Sequence, residues 1–207
     1  MWTRLIPAII ASNQKELDAM LNRLERKFEW VMLDFMDGSF VPSKSLMFEI
    51  KLPPGLEYEA HLMVRHPIEF LPKLQGKVKS VILHVESEDI EQAIKMARKL
   101  KFETVIAINP GTPINEVKKH LDRLDRVLIM TVEPGRYGAP FVPQTLVKVN
   151  QLRKAFPSIS IEVDGAMNPE NARAARKAGA NIFASGSYIL KSTDLEKAIK
   201  NLEEAIR

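Results

Sequence analysis

Asp34, His61 and Asp164 each sit in or at the end of a strongly apolar run. An ionised or unpaired polar group there is costly unless it has a partner or a task. Asp34 lies between Leu33 and Phe35, His61 precedes Leu62 and Met63, and Asp164 follows Ile161 and Val163. Two carboxylates and an imidazole that converge on one spot can move protons or hold a metal ion. Both chemistries stay open on the residues alone. A second set is made of small residues: Gly165-Ala166 and Gly186-Ser187 each follow an apolar run, and the segment 133–140 (EPGRYGAP) adds Gly135 and Gly138. Exposed backbone N–H groups at such turns, helped by a helix N-terminus, suit a phosphate. Glycines also serve turn geometry alone.

The elements that must position these groups alternate between two kinds. Short apolar, β-branched runs read as strands over 5–10, 29–34, 58–63, 80–84, 104–108, 126–130, 160–164 and 181–185. Amphipathic stretches read as helices over 14–27, 44–51, 67–74, 90–100, 114–120, 143–155, 169–178 and 194–206. Eight strand–helix units in about 200 residues, with strands apolar on both faces, predict a parallel sheet closed into an α/β (β/α)8 TIM barrel over residues 1–207 as one domain. An open doubly wound sheet is the alternative, but the first turn, Ala11-Ser12-Asn13, lacks the glycine that fold often uses.

In a barrel the chemistry belongs at the C-terminal strand ends, where both sets fall. Side chains alternate along a strand, so Met32, Asp34 and Met36 share one face, as do His61 and Met63. Asp37, followed by Gly38, fits a turn former as well as a site residue. His84 reads as a satisfied strand-end histidine, and His66 and His120 as surface residues.

Composition bounds the partners. The chain has 207 residues, 45% hydrophobic and 27% charged, as in ordinary globular proteins. The excess of 30 Lys and Arg over 26 Asp and Glu is small and spread out, and no basic cluster with interleaved aromatics points to nucleic acid. No apolar run approaches the ~18 residues of a membrane span, and the N-terminal run, broken by Pro7, reads as a first strand rather than a signal peptide. There is no cysteine, so disulfides and thiolate metal sites are ruled out and the cytoplasm is the expected compartment.

At this point the motifs resemble those of the ribulose-phosphate 3-epimerase family. LDFMDGSFVPS (33–43), HLMV (61–64), HVES (84–87), INPGTP (108–113), MTVEPG with GAPF (130–141), EVDGAMNPENA (162–172) and FASGSYI (183–189) occur in family order, from about Pro7 to the last helix. The resemblance implies inversion at C3 of D-ribulose 5-phosphate to D-xylulose 5-phosphate, in carbohydrate metabolism. One carboxylate takes the C3 proton to give a 2,3-enediolate, and a second returns a proton on the other face. By match these are Asp34 and Asp164, and Asp34, His61 and Asp164 stand at three of the family's four ligands for a divalent metal (Zn, Fe, Mn or Co). Met36, Met63 and Met130 match its methionines near the reacting carbons, although core packing explains them equally well. Gly135, Arg136, Tyr137, Gly138, Gly165, Ala166, Gly186 and Ser187 take the phosphate-binding positions. The resemblance also implies a homo-oligomer, dimeric or hexameric.

The departures cluster at the site. Met32 stands where the family has its first histidine ligand, and a thioether is a poor ligand for a hard divalent ion. Ala11 replaces a serine near the end of strand one, the loop 135–139 replaces a glycine-rich run with Arg136 and Tyr137, and Ala166 replaces a second glycine. Three readings follow: an epimerase with weaker or altered metal use, an epimerase or isomerase on another sugar phosphate such as allulose 6-phosphate, or a sugar-phosphate-binding barrel without catalysis.

Overall fold

The computed structural model describes residues 2–207. Strands and helices alternate in the order β1 (Arg4–Ile9), α1 (Gln14–Leu24), β2 (Trp30–Asp37), β3 (Lys44–Ser45), β4 (Glu57–Met63), α2 (Leu71–Leu74), β5 (Ser80–His84), α3 (Ile90–Lys99), β6 (Glu103–Ile108), α4 (Asn115–Lys118), β7 (Arg126–Met130), α5 (Thr145–Ala155), β8 (Ser160–Asp164), α6 (Pro169–Ala178), β9 (Ile182–Ser185), α7 (Ser187–Leu190) and α8 (Leu195–Ile206). All but the two-residue β3 run parallel, and β1 pairs with both β9 and β2, which closes an eight-stranded barrel. The (β/α)8 architecture expected from the strand–helix count is the one observed.

Strand alternation divides the apolar residues into two cores. Ile6, Ala8, Met32, Ile82, Val105, Leu128 and Ile182 pack together inside the barrel. Their neighbours along the strands, such as Leu33, Leu62, Leu83, Ile129 and Phe183, face outward onto Leu17, Leu21, Ile94, Leu152 and Leu202 of the helices. Each fully buried Leu or Ile of this kind stabilises the fold by roughly 1.5–3 kcal/mol. Helix starts are set locally: Asn13, Asn168 and Asp194 each accept a hydrogen bond from a first-turn N–H of α1, α6 and α8.

The segment 44–51 is not the expected helix. Lys44 and Ser45 instead pair antiparallel with Asp37 and Met36. Ser45 Oγ accepts the Ala11 N–H at 3.1 Å, and Leu46 sits at φ 54° while donating its N–H to the Ala11 carbonyl. A left-handed residue breaks a right-handed helix. The expected helix at 67–74 is a short 3-10 turn and a single α-turn, and that at 114–120 is a single α-turn followed by a 3-10 turn at Leu121–Arg123. The four-residue α7 was not expected at all.

The lower end of the barrel interior carries charge. Arg126 donates to Glu59 at 2.6 Å, to Glu162 at 3.0 Å and to Ser80 Oγ at 2.7 Å, and all four residues are buried. The second oxygen of each glutamate has no partner. Burial, then the facing Glu59 charge, pushes the Glu162 carboxyl well above the usual range.

Candidate active site at the mouth of the barrel

β2, β4 and β8 bring the three polar residues together. Asp34 and His61 are register partners on β2 and β4, and Asp164 ends β8. One donor atom from each lies within 4.8 Å of the others. His61 Nδ1 is 3.0 Å from Asp34 Oδ1 and 3.7 Å from Asp164 Oδ2.

The electrostatics follow from crowding in a dry place. Burial, then the Asp34 charge, raises Asp164 to about 7, against a lowering from His61. Burial opposes charge on His61, but the Asp34 hydrogen bond and the charges of Asp34 and Asp164 outweigh it, and its pKa is raised. The far side of the His61 ring is occupied too. Its Nε2 lies 2.9 Å from Nε2 of His84, whose Nδ1 is 3.3 Å from Glu86 Oε2. Glu86 is held in turn by the Asn109 N–H at 2.8 Å and by the Thr112 hydroxyl. Burial lowers His84 to about 4, so that ring is neutral.

Two carboxylate oxygens and an imidazole nitrogen suit a first-row divalent ion, and the mutual repulsion that raises Asp164 is what a cation would relieve. The three residues therefore fit a metal. Met32 is fully buried among the inner-barrel residues, one alternation below Asp34. The position faces inward as expected, and it brings a thioether in place of a nitrogen.

Met36, Met63 and Met130 line the cavity beside Asp34 and Asp164, and so do Gly135, Arg136, Tyr137, Gly138, Gly165, Ala166, Gly186 and Ser187. All of the expected phosphate-end residues are thus gathered over β8 and β9. Gly165 has φ +112°, and a Cβ there would run into Val132; Ala166 follows at φ 52°, a backbone region that favours glycine. The free volume is about 50 Å³. Tyr137 reaches in from the 133–140 loop. Its hydroxyl donates to the Ala8 carbonyl at 2.7 Å and accepts the Ile10 N–H at 2.9 Å.

Some residues fall elsewhere than expected. Ala11 packs in the outer core, and the alanine of β1 that lines the cavity is Ala8. Ala8 faces inward because it pairs with inward-facing Met32; an odd step along a strand reverses the face. Asp37 is a turn former, accepting the N–H groups of Ser39, Phe40 and Arg65. His66 is half-buried at the surface, but His120 is buried against Glu91 and Arg123 rather than on the surface. Met167 and Ile10 line the cavity without having been singled out; strand phase could have found Ile10, two residues beyond Ala8.

Among solved structures the barrel resembles 3-keto-L-gulonate-6-phosphate decarboxylase from Vibrio cholerae, with a TM-score of 0.75 at 14% identity, covering 99% of this chain and 97% of the other. At that identity the likeness shows the fold alone. Sequence relatives are much nearer. Ribulose-phosphate 3-epimerase of Schizosaccharomyces pombe is 30% identical over 98% of this chain and 93% of its own length. The cytoplasmic isoform from Oryza sativa subsp. japonica is 31% identical over 98% and 94%. The profile of the ribulose-phosphate 3 epimerase family matches residues 4–190. With that match running from β1 to the end of α7, the chain belongs to the ribulose-phosphate 3-epimerase family and is an enzyme of the epimerase class.

Proposed function

We propose that the chain interconverts D-ribulose 5-phosphate and D-xylulose 5-phosphate by inversion at C3. The observation that carries this reading is the pair Asp34 and Asp164, contributed by separate strands and brought within 4.8 Å of a shared imidazole at the cavity floor. Epimerisation needs a base on one face of C3 and an acid on the other, because a single carboxylate serves one face only. Asp164, at about 7, carries a proton part of the time near neutral pH and can give it to carbon. Asp34 accepts the proton from the opposite face, and the roles reverse for the return reaction. Removal of the C3 proton leaves a 2,3-enediolate whose reprotonation completes the inversion.

Asp34, His61 and Asp164 would hold a divalent ion (Zn, Fe, Mn or Co), and such an ion supplies Lewis-acid neutralisation of oxyanion charge. Met36, Met63 and Met130 offer a polarisable apolar wall around the reacting carbons. The phosphate belongs at the other end of the cavity, against the main chain of Gly165-Ala166 and Gly186-Ser187 with Arg136 nearby. A second reading, a sugar-phosphate-binding barrel with impaired catalysis, is favoured by one observation: Met32 withdraws a nitrogen ligand.

NMR of D-ribulose 5-phosphate in D2O, with Mn2+ or Zn2+ supplied, decides between them. Xylulose 5-phosphate carrying deuterium at C3 is the expected product, and Asp34→Asn and Asp164→Asn should each abolish its formation. Neither conversion nor exchange by the wild-type chain would overturn the reading.

A further inference from the structure

β1 and β9 part company early. Their pairing ends at Pro7 and Ser185, after which β9 turns away at Gly186 into α7. The Ala8 carbonyl and the Ile10 N–H then lack a strand partner, and the Tyr137 hydroxyl supplies it by bonding both. Buried backbone groups of this kind must be satisfied, so these two bonds hold the phenol in the seam. The ring packs so close to Gly186 that a Cβ at that position would collide with Cε1 of Tyr137. Lys191 sits over the ring, 5.6 Å from its centroid. Tyr137 therefore fills the far end of the cavity, between Gly186 and Ala8.

Building on the epimerase reading, we propose that Tyr137 sets the substrate's chain length: its ring excludes 2-ketohexose 6-phosphates and admits 2-ketopentose 5-phosphates. Asp34 and Asp164 fix where C3 must sit. One further CH(OH) between C3 and the phosphate moves the phosphate outward by one carbon, toward the space between Gly186 and Ala8 that the ring occupies. A pentulose phosphate ends short of the ring and leaves both hydrogen bonds in place. A hexulose phosphate enters only by pulling the phenol out of the seam, which breaks both hydrogen bonds and strands the two backbone groups. A pocket that differs by one carbon unit discriminates by roughly 10- to 200-fold.

The test is the ratio of kcat/KM for D-allulose 6-phosphate over D-ribulose 5-phosphate in the wild-type chain, Tyr137→Leu and Tyr137→Phe. The Leu variant, which shortens the side chain, should raise the ratio by about 10-fold or more. The Phe variant, which keeps the ring, should leave the ratio within about twofold of wild type, whatever it does to either rate. Tyr137→Met, unbranched and able to repack, carries the same expectation should the Leu variant not fold. An unchanged ratio in the shortened variants overturns the proposal. So does a Phe variant whose ratio moves as far as the Leu variant's, since ring size would then not be the cause. Turnover of neither sugar by the wild-type chain overturns the epimerase reading itself and this inference with it.

Discussion

His61 and His84 meet edge to edge, with centroids 5.1 Å apart, planes 14° apart and Nε2 atoms at 2.9 Å. That contact needs one donor and one acceptor. His84 Nδ1 faces the Glu86 carboxylate, so its proton is there and its Nε2 accepts. His61 therefore carries a proton on Nε2, and Nδ1, which donates to Asp34 in the metal-free site, is the nitrogen turned toward both carboxylates and available to ligate once its proton leaves. His84, Glu86, Asn109 and Thr112 form a line that selects the tautomer of His61 able to ligate a metal. Such supporting partners typically contribute 10- to 100-fold in metal affinity. His84→Ala should weaken metal binding by about that factor, read by chelator competition on folded protein. Unchanged affinity would remove His84 from any positioning role.

Asp164 makes the metal-free site a liability to the fold, and the sign can be worked out. Its folded pKa, about 7, is above the 3.8 of an ordinary aspartate. Between those values the folded state holds a proton that the unfolded chain releases, so this group costs stability as pH rises from about 4 to 7, and the cost is constant above. In chelated protein Asp164→Asn should therefore be more stable than wild type at pH 8, by at most about 4 kcal/mol, and equal to it near pH 4. Thermal unfolding at the two pH values checks this. Parallel pH profiles of variant and wild type would contradict it.

Arg126 should behave in the opposite way. Among the described residues it is the one cation bonded to both Glu59 and Glu162, which are fully buried. Arg126→Met leaves two facing carboxyls in an apolar interior, and breaking a buried ion cluster on one side costs roughly 3–5 kcal/mol. The Arg126 charge restrains the rise of the Glu162 pKa, so its loss pushes that carboxyl still further above the usual range. The deficit should therefore be larger in alkaline than in mildly acidic solution. A loss that is the same at pH 5 and pH 8 would show that packing, not charge, dominates.

How much of this was legible beforehand depends on the range of the interactions. The eight strands were visible because buried parallel strands are short, β-branched and apolar on both faces, and Asp34, His61 and Asp164 were visible because a polar residue in such a run is an exception. The helix expected at 44–51 failed because long-range bonds from Ser45 and Leu46 to Ala11 outweigh a local pattern. The His61–His84 contact was invisible because it depends on the β4–β5 register, in which His61 lies opposite Ile82. Tyr137 reads as bulk in a loop until the early parting of β1 and β9 shows what its hydroxyl bonds. Ala11 stands where the resemblance places a strand-one serine, but it is Ala8 that faces the cavity, an odd step in phase that only the pairing with Met32 resolves.

Met32 is the remaining departure, and its environment makes a direct test possible. It is wholly buried, faces the barrel axis, and lies in register with Ala8 on one side and Glu59 on the other. Its long side chain occupies space that an imidazole can enter with little change in volume, and small shape changes of this sort usually cost less than about 1.5 kcal/mol. Met32→His adds a nitrogen donor next to Asp34 in the alternating row and makes a three-donor site four-donor. Affinity for Zn2+ or Mn2+ should rise at least about 10-fold, in line with the poor match of a thioether to hard divalent ions. Isothermal titration against a chelator of known strength reads this without reference to turnover. An epimerase rate that rises in step with metal occupancy would assign the shortfall of the wild-type site to Met32. No gain in affinity would move attention to the two-carboxylate geometry itself, and a gain in affinity without a gain in rate would mean that the ion already bound by Asp34, His61 and Asp164 suffices for the chemistry.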